Sequence, residues 1–184
     1  VYGRYIQWLE QQDQAAAQAY WSKYLADYEQ LATLPKKTVA GEETEDNSSI
    51  VNTLVTLDNG FYQQTMVLDT DTTAKLQQLA TQAQVTLNTI IQTLWGFLLA
   101  YYNNVSDVVF GVTVSGRPAA IRGIERAIGL FINTIPVRVQ TNQANTFKAL
   151  LSHIHAEALA GQSYHYSPLA EIQAHTSLQR HFLD

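Results

Sequence analysis

Histidine is the side chain most often used as a general base or metal ligand near neutral pH, so the five histidines of this 184-residue chain come first. His153 and His155 stand two apart in a stretch of helical periodicity, where they point to different sides and are poorly placed to share a metal. His165, His175 and His181 are spread through a polar tail, and no H-E-x-x-H motif is present. All five read as structural or surface residues. Gly111 and Gly116 have the spacing of a G-x-x-x-x-G loop, but Arg117-Pro118 follows where a phosphate-cradling loop needs Lys-Ser/Thr. Ser115 lacks the upstream glycine of a nucleophile elbow, because Thr113 stands in that place. The chain has no cysteine, which excludes thiol catalysis, disulfides and Cys-ligated zinc.

What remains unusual is the segment 114–138, VSGRPAAIRGIERAIGLFINTIPVR. An apolar run ends in Ser115-Gly116-Arg117-Pro118, a turn with a permissive glycine and a rigid proline. Asn133-Thr134-Ile135-Pro136-Val137-Arg138 follows after a short connection. Two readings are open. In one, the polar residues only hold a strand–loop–strand connection together; in the other, Ser115 and Asn133 present hydrogen-bonding groups to a channel. On an extended strand Asn133 shares a face with Ile135 and Val137, an odd place for an amide unless it reaches a buried partner or a polar channel. Arg138 lies on the opposite face with Thr134, where fixing the strand through a carboxylate or backbone carbonyls is a structural role.

The surrounding elements are legible from periodicity. Residues 2–30 read as two helical stretches, with Asp13 capping the second. Residues 36–49, KKTVAGEETEDNSS, are polar, acidic and free of aromatics, and read as a mobile surface loop. Residues 50–57 and 61–68 read as a hairpin about Asp58-Asn59-Gly60. Asp69-Thr70-Asp71 offers caps for a helix over 73–82, and Thr86 caps a longer helix through Tyr102 whose apolar stripe is wide enough for burial on most sides. The run 108–114 predicts a strand covered on both faces, 131–139 another strand, and 146–160 a last helix. Mixed strands and helices in this order predict an α/β layered domain.

Composition narrows the function. The chain is 46% hydrophobic and only 15% charged, against roughly 25% in an average soluble domain, so part of its surface is expected to face another protein or another part of a longer chain. A net charge of −5 without clustered Lys and Arg gives no nucleic-acid surface. No apolar run reaches the ~20 residues needed to span a bilayer, and Val1-Tyr2-Gly3-Arg4 is not a signal peptide.

The segment Ser115-Gly116-Arg117-Pro118, followed by Ile128-Gly129-Leu130-Phe131-Ile132-Asn133-Thr134 and Arg138, resembles the condensation domains of nonribosomal peptide synthetases, whose pattern is close to S-G-R-P then I-G-x-F-x-N-T-x-x-x-R. Tyr5-Ile6-Gln7-Trp8-Leu9, Gln12-Asp13 and Tyr20-Trp21 with Leu25 are similar to the start of that family's second lobe. Thr86-Leu87-Asn88 through Trp95 and Asp107-Val108-Val109-Phe110-Gly111 resemble its buried helix and the strand after it. His165 to Glu171 is similar to its H-x-x-x-P-x-E segment, with Leu169 where Phe is common. Two departures stand out: the family's H-H-x-x-x-D-G motif is absent, and the sequence stops at Phe182-Leu183-Asp184 where a full domain of that family is expected to continue into further strands; a smaller one is that 176–178 lacks the R-D-x-S-R-N-P pattern of many members.

The resemblance implies one lobe of a chloramphenicol acetyltransferase-like fold (the CoA-dependent acyltransferase fold). Residues 1–184 would form the C-terminal lobe of a condensation domain: opening helices over 1–30, the mobile loop 36–49, and an α/β core over 50–184 truncated at its C-terminal end. It implies a parent that joins an acyl or peptidyl thioester on one carrier protein to the amine of an aminoacyl thioester on the next. A histidine of the first lobe would act as base or positioning group. Ser115, Gly116, Arg117 and Asn133 would form substrate-tunnel wall and Arg138 would be structural, with no catalytic residue and no metal. No cofactor would bind directly; phosphopantetheine arms would come from upstream and downstream peptidyl carrier proteins. The first lobe and an adenylation domain would be further partners, in the cytoplasm, without nucleic acid or membrane. The chain alone is expected to be inactive. An epimerisation or cyclisation variant of the same fold, or a non-catalytic carrier-protein binding module, are the rival readings.

Overall fold

In a computed structural model the structure describes residues 2–29, 31–34, 54–58 and 61–176. The expected loop 36–49 lies outside the described residues. Helix α1 is Tyr2–Glu10 and α2 is Gln14–Tyr24, where Asp13 caps α2 by accepting the Ala16 N–H. Strands β1, Leu54–Asp58, and β2, Phe61–Thr65, form the expected antiparallel hairpin. β2 stops three residues short of the expectation: Met66, Val67 and Leu68 are exposed coil. Helix α3 runs over Thr70–Ala83 from an Asp69 cap, and α4 over Leu87–Asn103 from a Thr86 cap. Strand β3, Asp107–Ser115, pairs antiparallel with β4, Ile132–Gln140, in a register that sets Val109 opposite Arg138 and Gly111 opposite Pro136. Helix α5, Phe147–Gly161, starts one residue later than expected because Thr146 caps it by accepting the Ala149 N–H, and a short helix α6, Leu169–Ala174, follows.

The β-branched runs of β3 and β4 suit a pleated, half-buried surface, and their inward residues are met by α4 and α5. Val108, Phe110 and Val139 pack with Leu99, Ala100, Leu150 and Ile154 in one cluster. Gly96 lets α4 lie against β4, since a Cβ there would fall 2.6 Å from the Val139 side chain. A second cluster joins Val109 and Ile135 to Trp21, Leu25, Tyr28 and Ile172. Two burial expectations are corrected. The outer side of α4 is open among the described residues, with Trp95 39% and Tyr101 82% exposed, because the sheet and α5 take only the side carrying Ile90, Thr93 and Leu99. β3 is covered at Val108–Val109–Phe110 but exposed at Gly111, Thr113 and Ser115, since α4 packs only beside its first half.

Arg138 ties the layers together. Its Nη2 meets Asp107 Oδ2 at 2.6 Å across the strand pair, while Nη1 donates to the carbonyls of Tyr24 and Ala26 at 3.0 and 2.8 Å. The guanidinium side chain is only 11% exposed. Arg138→Ala should leave the Asp107 carboxylate and two helix-end carbonyls without this donor. We expect a loss of about 3 kcal/mol of stability, the low end for breaking a buried pair, read as a lower denaturation midpoint in urea. Arg138→Lys should recover only part of it, because an ammonium lacks the planar fork.

Candidate functional site

The residues singled out by the sequence separate into three places. Ser115, Gly116 and Arg117 lie where β3 runs out, on a groove of about 380 Å³ that Trp8, Gln162, His165 and Tyr166 also line. Gly116 donates its N–H to the Phe131 carbonyl, and a Cβ there would meet that oxygen at 2.7 Å, so the turn closes only with glycine. Arg117 is not a free cation on this wall. Its Nη1 donates to the Ile124 and Ala127 carbonyls, and its guanidinium stacks 4.0 Å above the Phe131 ring. The arginine therefore shapes the turn beneath the groove while its outer surface forms part of the lining. Ser115 is exposed and leaves its hydroxyl available there.

Asn133 is not among the groove's lining residues. Its Nδ2 donates both hydrogens, to the carbonyls of His165 at 2.8 Å and Ser167 at 2.7 Å. The amide has found backbone partners, and through them it fixes the turn that presents His165 and Tyr166 to the groove. Arg138 sits at the far end of β4 in the network described above and takes no part in the groove.

Sequence reasoning placed His165 in a polar tail, yet it stands between the groove and a second cavity of about 250 Å³ lined by the sheet, α2, α5 and the start of α4. Leu159 and Gln162 share this dividing position. The Nε2 atom of His165 is buried and has no hydrogen-bond partner among the described residues. Burial pushes the imidazole below its ordinary value of 6.5, which keeps it neutral at physiological pH. The local signal was the His165 to Glu171 segment before α6, spaced H-x-x-P in this chain; the partnership with Asn133 spans more than 30 residues and leaves no mark on periodicity. His155 faces the second cavity and meets Thr89 Oγ1 through Nδ1 at 3.2 Å. No group of three His, Asp or Glu side chains among the described residues could hold a metal.

Comparison with known proteins identifies the family. The condensation-domain family profile matches residues 1–183, and the chain belongs to the condensation domain family. Gramicidin S synthase 2 of Brevibacillus brevis is 42% identical over 183 residues, covering 100% of this chain and 4% of that protein. Tyrocidine synthase 2 of Brevibacillus parabrevis is 44% identical over 187 residues, covering 100% of this chain and 5% of that protein. The chain therefore spans only a small part of the curated relatives it matches. Among solved structures, the X-domain from teicoplanin biosynthesis aligns with a TM-score of 0.67 at 20% identity, over 96% of this chain and 36% of that one. The first condensation domain of the CDA synthetase aligns with a TM-score of 0.59 at 17% identity, over 84% of this chain and 30% of that one. The α/β fold is that of condensation domains, the acyltransferase-like class expected from the sequence.

Two outcomes follow from the site geometry. Asn133→Ala should cost about 1–3 kcal/mol by leaving two carbonyls without their donors, with faster exchange of the Ser167 amide than in the unaltered chain. Asn133→Asp, which cannot donate, should behave like the alanine variant. For His165, the folded imidazole binds its proton less readily than the unfolded one. The stabilisation is thus complete above pH 6.5 and is lost as pH falls below it toward the folded value. Melting temperatures between pH 7.5 and 5 should fall less steeply for His165→Gln than for the unaltered chain.

Proposed function

We propose that this chain is the C-terminal lobe of a condensation domain, and that its parent forms peptide bonds between an acyl or peptidyl thioester and an aminoacyl thioester held on carrier proteins. The observation that carries the reading is the coincidence of the family match over 1–183 with a groove built from the segment that carries the match. Small residues, Gly116, Ala119, Ala120 and Ser163, leave the groove unobstructed, room for the slender phosphopantetheine arm of a carrier protein. That arm supplies an activated thioester; this chain supplies wall and hydrogen-bonding groups. Upstream and downstream peptidyl carrier proteins, a first lobe and an adenylation domain are the partners this reading requires.

Joining two tethered thioesters is a task of proximity and of stabilising developing charge. Ser115 offers a hydroxyl at the mouth of the strand. Arg117, already held by two carbonyls, keeps the turn rigid so that this hydroxyl stays in place. His165, neutral through burial, lines the same groove without adding a charge. The chain has no His-His pair, so the general-base help worth about 10²–10⁴-fold has to come from elsewhere in the parent.

The test loads donor and acceptor carrier proteins and follows dipeptide formation. The chain alone should give none above the uncatalysed rate, whereas the full-length synthetase that contains it should be active. Ser115→Trp in the synthetase, which fills the groove, should lower condensation at least tenfold with carrier loading unchanged. Turnover by the chain alone, or an unaffected Ser115→Trp synthetase, would overturn the proposal.

A further inference from the structure

The opening motif Tyr5-Ile6-Gln7-Trp8-Leu9 has no role in the function proposed above, yet the fold brings it to the groove. Helix α1 is pressed against the connection between β3 and β4. Tyr5 is buried among Ile121, Ile124, Ala127 and Phe131, and its ring meets Phe131 edge-on at 4.9 Å. Tyr2 meets the same ring edge-on at 5.4 Å, and Gly129 leaves room for it, since a Cβ there would collide with the Tyr2 ring. Phe131 also carries the Arg117 guanidinium. Helix α1 and the arginine of the groove thus rest on one shared support.

Trp8 stands nearly one turn beyond Tyr5. Its ring stacks on that of Tyr5 with centroids 6.2 Å apart and 16° between the planes, and Tyr166 meets it edge-on at 5.8 Å. Tyr166 is tied in turn to the Asp13 carbonyl. Two anchored rings therefore fix the orientation of the indole, which remains partly exposed and borders the groove. Among the described residues its N–H has no hydrogen-bond partner, and unlike that of Trp21 it is not buried.

The chemistry of the groove selects its occupant. The groups left free around it are neutral: the Trp8 N–H, the Ser115 hydroxyl and the Gln162 amide. No carboxylate lines it, and the one lining arginine, Arg117, spends Nη1 on two carbonyls. A charged ligand would be left unpaired there, whereas a neutral chain of methylenes and amides finds an apolar ring and donors for its carbonyls. We propose that Trp8 is a binding residue of this groove: its ring packs along a phosphopantetheine arm and its N–H donates to one of the arm's amide carbonyls. Tyr5 is the positioning residue that holds the indole in place. The proposal rests on the reading that the groove takes such an arm.

The probe is pantetheine itself, a neutral diamide, titrated into the ¹⁵N-labelled 184-residue chain. Its three tryptophans, Trp8, Trp21 and Trp95, give separate indole N–H signals. The Trp8 signal should move saturably while those of Trp21 and Trp95 stay in place, and the groove-filling Ser115→Trp should cancel the movement. Tyr5→Leu keeps an apolar contact with Ile121 and Phe131 but offers no ring to stack on. It should weaken the Trp8 response without moving the Trp21 signal, and Tyr5→Phe should restore it. In the full-length synthetase, Trp8→Ala should slow dipeptide formation by about tenfold with carrier loading unchanged, the scale of one lost hydrogen bond together with its ring contact. Trp8→Tyr, which keeps a ring and a donor, should recover most of that loss. A Trp8 signal that does not move, a movement that Ser115→Trp leaves intact, or a Trp8→Ala synthetase working at the unaltered rate would each overturn the proposal. The last result, with the Ser115→Trp synthetase still impaired, would leave the proposed function standing. A Trp8 signal that moves with pantetheine in a chain whose parent forms no dipeptide would defeat that function and leave the arm contact in place.

Discussion

The fold turns on a single cation. Arg138 lies in the strand that joins the layers, and its fork is occupied on both sides: Asp107 on the neighbouring strand, and the carbonyls of Tyr24 and Ala26 where α2 ends. The carbonyls at a helix end have no intrahelical partner, so a guanidinium placed there satisfies groups that would otherwise need water. The same residue gives its main-chain N–H to the Tyr24 hydroxyl, and its guanidinium lies 5.6 Å from the Tyr28 ring. Strand pairing, the exit of α2 and the aromatic packing around Trp21 are thus set by one side chain, and none of them can shift alone.

The groove depends on this frame indirectly. β4 carries Arg138 at one end and Asn133 near the other, so a strand held in register at 138 places the 133 amide where it captures the turn at 165–167. That turn brings His165 and Tyr166 over the end of β3, where the Tyr166 ring stands edge-on to Trp8 at 5.8 Å. Ser115 needs no support of its own; it is positioned because Gly116 is pressed against the Phe131 carbonyl and Arg117 is clamped beneath it. Gly116, Arg117 and Tyr166 hold the wall, each by a hydrogen bond to a main-chain carbonyl rather than to another mobile side chain.

Much of this was legible in the sequence because it is local. The caps at Asp13, Asp69 and Thr86 are short side chains three residues before the amide they accept, and a linear reading finds them. The strand pair was visible in its β-branched runs, and the family in the Ser115–Arg117 and Asn133 segments that turned out to border or brace the groove. What was hidden is what depends on distance. Nothing near Asn133 announces that its partners lie more than 30 residues away, and nothing near His165 announces its burial between two cavities. The apolar stripe of α4 misled for the opposite reason: periodicity records how wide an apolar face is but not which neighbour covers it. Residues 111–114 of β3 read as covered on both faces because an apolar run does not show that α4 packs only beside its first half.

The hydrogen bonds that fasten α1 and α2 join the two ends of the chain. Tyr2 reaches the Leu130 carbonyl, Tyr166 donates to the Asp13 carbonyl, and Gln18 meets His175, across separations of 128 to 157 residues. During synthesis these helices emerge first, while their partners are still untranslated. At about 5–20 residues per second the aromatic sides of α1 and α2 wait roughly 6–30 s for the segments that cover them. Within this fold, then, the two most aromatic helices are made before the segments that enclose them, and their ring faces stay open to water over that interval.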